Sequence, residues 1–457
     1  MEVQNFDAIS QSQSQFSNIH FENFPKGYSA ESVDELICKL FDPLLRVGYY
    51  LLLIPFRLKE RNGIYHIHTN SVQRIMSTLV FTLVFLSGVS DLRHHFEKGL
   101  MPHPEKAFVW SYSLILEIGY TPIWFKTFWG GKKYFEKLIR KQKINVNQVE
   151  SKSLCPKIIM GVVIYTEMKL LLEQIYSDIV VKGWVGMLQY YGGIGLYNIH
   201  FRDDEQLEEE ELFSHWSIFI FSIGSTLLMN LLRQVEHLVE VMAIVGAVAM
   251  YWTSCNFIKC LNRYDSFTGN NNYYYSDEII RTYLSFVEMM STINFICGCI
   301  VLIYMLGMVP TFVWCVFGIF ELNSFEYLLY YVHKFIMHSS LLIIAAEANA
   351  EASKFTEWIM RFVTGRHRRN DNESIAELDQ DRRKDDEFST FLNFSHREMC
   401  TNPVGLKGAD FFTISYGFIG TTVSVIVTYA VIMLQFQVEK YQKLNKLNST
   451  MGCNCSE

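Results

Sequence analysis

Near the end of the chain, in TYAVIMLQF, Thr428 and Gln435 stand seven residues apart, each followed by an aromatic, Tyr429 and Phe436. A hydroxyl and an amide in so apolar a segment do hydrogen-bond chemistry rather than covalent chemistry. Residues seven apart lie nearly on one helix face. Tyr429 and Phe436 therefore align, with Ile432 between them and Val425 a turn below. Thr428 and Gln435 align on the neighbouring face with Thr421 and Ser424. Hydrocarbon offers the Gln435 amide no partner. Two arrangements satisfy it. In one, the hydroxyls bond back to their own helix and Gln435 bonds to a neighbouring helix. In the other, copies of this helix surround a pore that Ile432 and Phe436 close by dewetting, while Thr428 and Gln435 contact other subunits or water.

A second group of residues sits in apolar segments further upstream. Trp110, Tyr112 and Glu117 fall in one, Glu173, Tyr176 and Asp178 in the next, and His215 and Trp216 at the start of another. Tyr304 and Trp314, then Tyr327, Tyr330, Tyr331 and His333, complete the set. Ionisable groups in a membrane are costly and mark functional positions. Rings that stack on C–H faces, together with acids that accept from hydroxyls, suit a hydroxylated small molecule. Trp110, Glu117, Glu173, Tyr176, Trp314, Tyr330 and His333 are the ligand-contact candidates. Anchoring at the membrane interface is the competing role for the aromatics.

No enzyme pattern is present. His66 and His68 in YHIHTN have no third metal ligand near them in sequence and read as solvated residues; His94 and His95 sit in a loop. There is no phosphate-binding glycine loop and no nucleophile elbow. The ten cysteines are scattered without metal-ligand spacing, and Cys453 and Cys455 fall in the tail. We therefore expect no catalytic residue, no cofactor and no metal. The net charge of -7 points to no nucleic-acid partner.

The elements that carry these residues are long apolar blocks, half of all residues being hydrophobic. Each block matches the ~20 residues needed to cross a membrane. The fold class that follows is an all-α membrane protein with seven spans: Ser71–Ser90, Lys106–Trp129, Lys157–Lys182, a long helix from near Leu212 past Ala249, Ile280–Phe320, Ser324–Ala348 and Ala409–Gln437. Leu40–Phe56 carries Asp42 and Arg46 and reads as an interfacial or buried helix. By segment, 1–36 is a flexible cytosolic N-terminus without a cleaved signal peptide, and 37–70 an interfacial helix and linker. Residues 71–350 hold six spans with a ligand-binding outer bundle, and 351–386 form a disordered cytosolic loop. A cytosolic anchor helix and turn occupy 387–408, a pore-lining helix 409–437 and an extracellular tail 438–457. Phe388, Phe391, Leu392 and His396 give that anchor helix its spacing, and TNPVGLKGAD splits it from the last span.

Basic residues set the orientation. GGKKYFEKLIRKQK and RFVTGRHRRN are rich in them, whereas RDDEQLEEEE and IFELNS are poor. Seven spans then place the N-terminus inside and the C-terminus outside, with the sequon at Asn448 on the outer side. The acidic run Glu208–Glu211 reads as a solvated loop that could concentrate cations near an outer mouth.

Thr428-Tyr429, five residues and Gln435-Phe436 match the TY-x5-QF signature that ends insect gustatory receptors, and the chain resembles that family over its whole length. The topology, the long cytosolic loop and GLKGADFF before the last span carry the resemblance further. It implies a ligand-gated, non-selective cation channel, a homotetramer or heterotetramer with related receptors, in the plasma membrane of sensory neurons. The seventh helices would line the pore. Phe436 and Ile432 would form the gate, Gln435 and Thr428 its polar partners, and Tyr429 a pore-side packing residue. The partners implied are a small-molecule tastant such as a sugar, membrane lipid and permeating cations. A seven-helix signalling receptor without a pore, of the G-protein-coupled type, an odorant-receptor-type channel subunit and a transporter are the alternatives.

Overall fold

A computed structural model of the chain describes residues 33–61, 64–97, 119–140, 161, 165, 183–198, 208, 212–213, 215–267, 276–321, 325–370, 378–401 and 404–451. Helices dominate. They are α1 (Val33–Tyr50), α2 (Ser71–Glu97), α3 (Thr121–Phe125), α4 (Lys132–Arg140), α5 (Gly183–Asn198), α6 (Trp216–Phe267), α7 (Ser276–Glu321), α8 (Phe325–Asn370), α9 (Leu378–Thr401) and α10 (Tyr416–Met451). One antiparallel hairpin, β1 (Arg57–Arg61) with β2 (Ile64–His68), pairs Arg57 with His68 and departs from an all-helical reading. His66 and His68 are exposed and Tyr65 is buried, the alternation that a half-buried strand produces.

Among the described residues, four stretches are long and apolar enough to cross a membrane: Ser71–Val89, Trp216–Asn262, Ile279–Phe312 and Tyr416–Phe436. They coincide with the first, fourth, fifth and seventh predicted spans. α8 runs through the sixth. Most of the second and nearly all of the third lie outside the described residues.

α6 is the hub. It packs against α8, α7, α5, α2 and α1. Small residues let these helices approach closely: Ala243, Ala247 and Ala249 on α6, Ala345, Ala348 and Ala352 on α8, all buried. At Gly246 an added Cβ would lie 2.6 Å from the Cys297 sulfur of α7, so that contact admits no side chain. α5 lies where the sequence predicts only a loop. Its glycines lower helix propensity, but the same small size seats it on α6, and a Cβ at Gly192 would collide with Ser222.

Aromatic packing closes one end of the bundle. Phe257 of α6 stacks on Phe286 of α7 at 4.1 Å and meets Phe355 of α8 at 5.2 Å. Tyr283 sits edge-on to Phe391 of α9 at 5.5 Å. Phe388 and Leu392 are buried there, so α9 docks through the face its sequence spacing marks out. At the same end Trp124 donates its indole N–H to the Leu53 carbonyl at 3.0 Å and packs on Phe128. Phe128, Phe56, Phe41 and Phe135 continue that contact into α1, the hairpin and α4.

Helix occupies much of 351–386, where composition predicts a disordered loop, because α8 runs on to Asn370 and α9 begins at Leu378. Charged residues at helical spacing, such as the Glu351–Lys354 ion pair, support it.

The expected break between α9 and the last span is present, but α10 starts at Tyr416 rather than near Ala409 and runs on past Gln437 to Met451. Residues 404–415 form a tight turn fastened to α7. Asn294 donates to the Gly405 carbonyl at 3.0 Å and accepts from the Lys407 amide at 2.9 Å. The Ala409 amide donates to the Gly298 carbonyl at 3.0 Å. Ala409 and Asp410 hold positive φ of 48° and 65°, a left-handed conformation that costs each about 1–2 kcal/mol. Ser415 then caps α10 by accepting from the Phe418 amide at 3.2 Å.

Candidate functional site: a buried polar cluster and an exposed helix

Among the described residues, α10 leans on the bundle through its first three turns. Phe418, Ile419 and Ile426 pack on the core, and the Tyr416 hydroxyl donates to Glu347 of α8. Beyond that point the helix faces outward. Tyr429, Ile432 and Phe436 are 43%, 39% and 45% exposed, and Thr428 and Gln435 are exposed beside them. Val423, Val427, Val431 and Val438 are exposed as well, so a second apolar face lies across the helix from the rings of Tyr429 and Phe436. Thr428 donates its hydroxyl to the Ser424 carbonyl at 2.8 Å. Its hydrogen bond is thus satisfied within the helix, whereas the Gln435 side chain is exposed on the protomer surface.

The second feature lies between α6 and α8. Glu236, His237 and Glu240 occupy neighbouring positions on α6, and His333, Lys334 and His338 do so on α8. The Lys334 ammonium donates to the carboxylates of both Glu236 and Glu240. On the other side of Glu240, Oε2 lies 3.1 Å from His333 Nε2 and 3.6 Å from His237 Nδ1. His338 donates from Nδ1 to the Lys334 carbonyl at 2.8 Å, and Tyr304 of α7 stacks on its ring at 4.4 Å. Tyr165 lies against the His333 ring, with centroids 5.5 Å apart.

His237, Glu240, His333, Lys334 and His338 are all buried. Water cannot solvate these charges, so the pairing itself holds them. The arrangement locks two long helices in one register. It also sets donors and acceptors of both kinds inside the bundle, where a polar molecule could exchange places with an internal partner. His237, Glu240 and His333 are the described residues that could share a metal ion.

Of the sequence-predicted contact residues, only His333 has a described side chain, and it lies in this cluster. Trp110, Glu117, Glu173 and Tyr176 lie outside the described residues. The backbones of Trp314 and Tyr330 are in α7 and α8, but their side chains are not among those described. Sequence reasoning missed Glu236, His237, Glu240 and Lys334. The available signal was a set of ionisable residues at i, i+1 and i+4 in one apolar helix, matched by His-Lys in another.

No protein-family model matches the chain, and no curated protein matches it in sequence. Solved structures do match it in shape, among them two of one receptor. The insect olfactory receptor OR5 from Machilis hrabei aligns with a TM-score of 0.52 and 16% identity, over 88% of this chain and 100% of that one. The same receptor in complex with eugenol aligns with a TM-score of 0.49 and 16% identity, over 88% of this chain and 99% of that one. This chain therefore has the fold of an insect olfactory receptor.

Proposed function

We propose that the chain is a subunit of a chemically gated cation channel of the gustatory-receptor type, working in the plasma membrane of sensory cells. One observation carries the reading: α10 is long enough to cross a membrane, yet among the described residues little covers it beyond its first three turns. Lipid suits the valines but not the Gln435 amide. Four copies of α10 around one axis give Gln435 and Thr428 partners or water, and let Ile432 and Phe436 close the path by excluding water. The fold shared with OR5 of Machilis hrabei supports the same architecture.

Seven spans, a cytosolic N-terminus and an extracellular C-terminus complete the proposal. A small-molecule tastant enters the outer bundle near Trp110, Glu117, Glu173, Tyr176, Trp314, Tyr330 and His333. Carboxylates and rings favour a hydroxylated ligand such as a sugar. Binding opens the channel by favouring the open packing of α10. The fold fits an odorant-receptor-type subunit equally; the TY-x5-QF ending favours the gustatory type.

Cells expressing this chain alone, challenged with sugars, bitter compounds and volatile odorants, will pass a non-selective cation current in response to a water-soluble tastant. A tag after Glu457 will stain without permeabilisation. A tag that stains only after permeabilisation, or a chain that reaches the surface and signals without current, would assign it to the pore-free receptor class.

A further inference from the structure

We infer that His237, Glu240 and His333 form a binding site for one divalent transition-metal ion of the zinc type, which clamps α6 to α8. The ligand atoms of the three residues all lie within 4.8 Å of one another, and all three residues are buried. Nitrogen and carboxylate donors about 2.0–2.2 Å from zinc stand roughly 3.3 Å apart in a tetrahedral shell. The Glu240 Oε2 separations of 3.1 Å to His333 Nε2 and 3.6 Å to His237 Nδ1 bracket that value. Both distances to Glu240 thus already suit a shared ion, and the two imidazole donors, at most 4.8 Å apart, close the set by drawing together.

Two further observations point to a ligand. His237 is 4% exposed, and its Nδ1 makes no hydrogen bond among the described residues, although it is aimed at Glu240. At 3.6 Å it is too far from that oxygen for a hydrogen bond. A buried imidazole nitrogen left in this state costs free energy that an ion would recover. In addition, the Glu240 carboxylate is divided. Lys334 occupies Oε1, and Oε2 faces the two imidazoles. One oxygen can bind an ion while the other keeps its ammonium partner.

His237 and Glu240 are three apart on α6, so they project from one face. His333 closes the set from α8. Two imidazoles and one carboxylate select a borderline ion such as Zn2+ over Ca2+ or Mg2+, which prefer all-oxygen sets. Three protein ligands leave a fourth position, in which water or a coordinating small molecule can sit. Any proton on the ligating imidazole nitrogens must leave as the ion binds. The site stands independently of the channel proposal, since ion binding is measured on the purified chain without recording currents.

The test uses full-length protein purified without a histidine tag and titrated with Co2+, whose visible absorption reports coordination, followed by displacement with Zn2+. Wild type will bind one Co2+ per chain with the intense bands of a four-coordinate site. His237→Ala and His333→Ala will each weaken binding at least tenfold. The double variant His66→Ala/His68→Ala, which removes the exposed pair on β2, will leave it unchanged. His237→Cys guards against variants that merely misfold, because it will gain a thiolate-to-cobalt band. The inference is overturned if wild type binds no stoichiometric Co2+, if binding survives in His237→Ala and His333→Ala, if it is lost with His66 and His68, or if folded His237→Cys lacks the new band.

Discussion

Phe436→Ala will raise the standing current of cells expressing this chain about tenfold in the absence of any tastant. The Phe436 ring is 45% exposed on the isolated protomer. In the proposed assembly it is covered by its counterparts in the other copies. Burying such a ring is worth roughly 1.5–3 kcal/mol. Each of four copies loses that contact in the closed packing. A change of only ~1.4 kcal/mol in the closed-to-open balance already gives a factor of ten. Removing a large side chain also widens the constriction and weakens the dewetting that seals it. Ile432→Ala will act in the same direction. Phe436→Leu, which keeps an apolar plug, will stay close to wild type. Whole-cell recording before and after ligand checks all three. Unchanged resting currents in Phe436→Ala at equal surface density would remove Phe436 from the gate.

Lys334→Met will prevent assembly of a stable receptor. Lys334 neutralises Glu236 and Glu240 at once, within a cluster where Glu240 and Lys334 are buried. Removing one partner of a buried ion pair costs about 3–5 kcal/mol, because the remaining charge is stranded. Two carboxylates would then face each other without their common cation. The expected outcome is loss of the monodisperse peak in detergent and retention inside the cell. The triple variant Lys334→Met/Glu236→Gln/Glu240→Gln restores assembly, since it removes the stranded charges along with the cation. Fluorescence-detected size exclusion measures both. A single Lys334→Met variant as stable as wild type would mean that the two carboxylates are satisfied without the lysine.

The helices that the sequence announces most clearly are those whose apolar run is unbroken. The fourth predicted span, from near Leu212 past Ala249, is α6, Trp216–Phe267, because no proline or glycine cluster interrupts it. The split before the last span is equally legible in TNPVGLKGAD. Its exact end is not, since α10 begins only where Ser415 caps it, after a turn held by Asn294 from α7. α5 escapes a sequence reading because Gly183, Gly186, Gly192, Gly193 and Gly195 look like loop residues. At Gly192 the missing side chain is what lets the segment approach Ser222 of α6. Tertiary contact overrides local propensity there.

The polar cluster was hidden for a different reason. Glu240 and His333 are 93 positions apart. Intramembrane charge marks each helix as unusual, but pairing across two helices is a property of their packing. The sequence marks His333 as a contact candidate beside Tyr327, Tyr330 and Tyr331, but not its carboxylate and lysine partners. The terminal helix shows the opposite case. Its stripes of Tyr429, Ile432 and Phe436 against Thr428 and Gln435 can be read from spacing alone, and α10 carries both stripes on its exposed surface.

The central claim is that α10 helices from several copies meet around a common axis. Oxidative cross-linking of Phe436→Cys in membranes tests it most directly. Chains that meet at this residue will form disulfide-linked dimers on a non-reducing gel, and oxidation will suppress the current reversibly on reduction. A Phe436→Cys chain that stays a single-chain band under full oxidation, with its thiol open to a lipid-soluble maleimide, would place α10 against lipid and contradict the account.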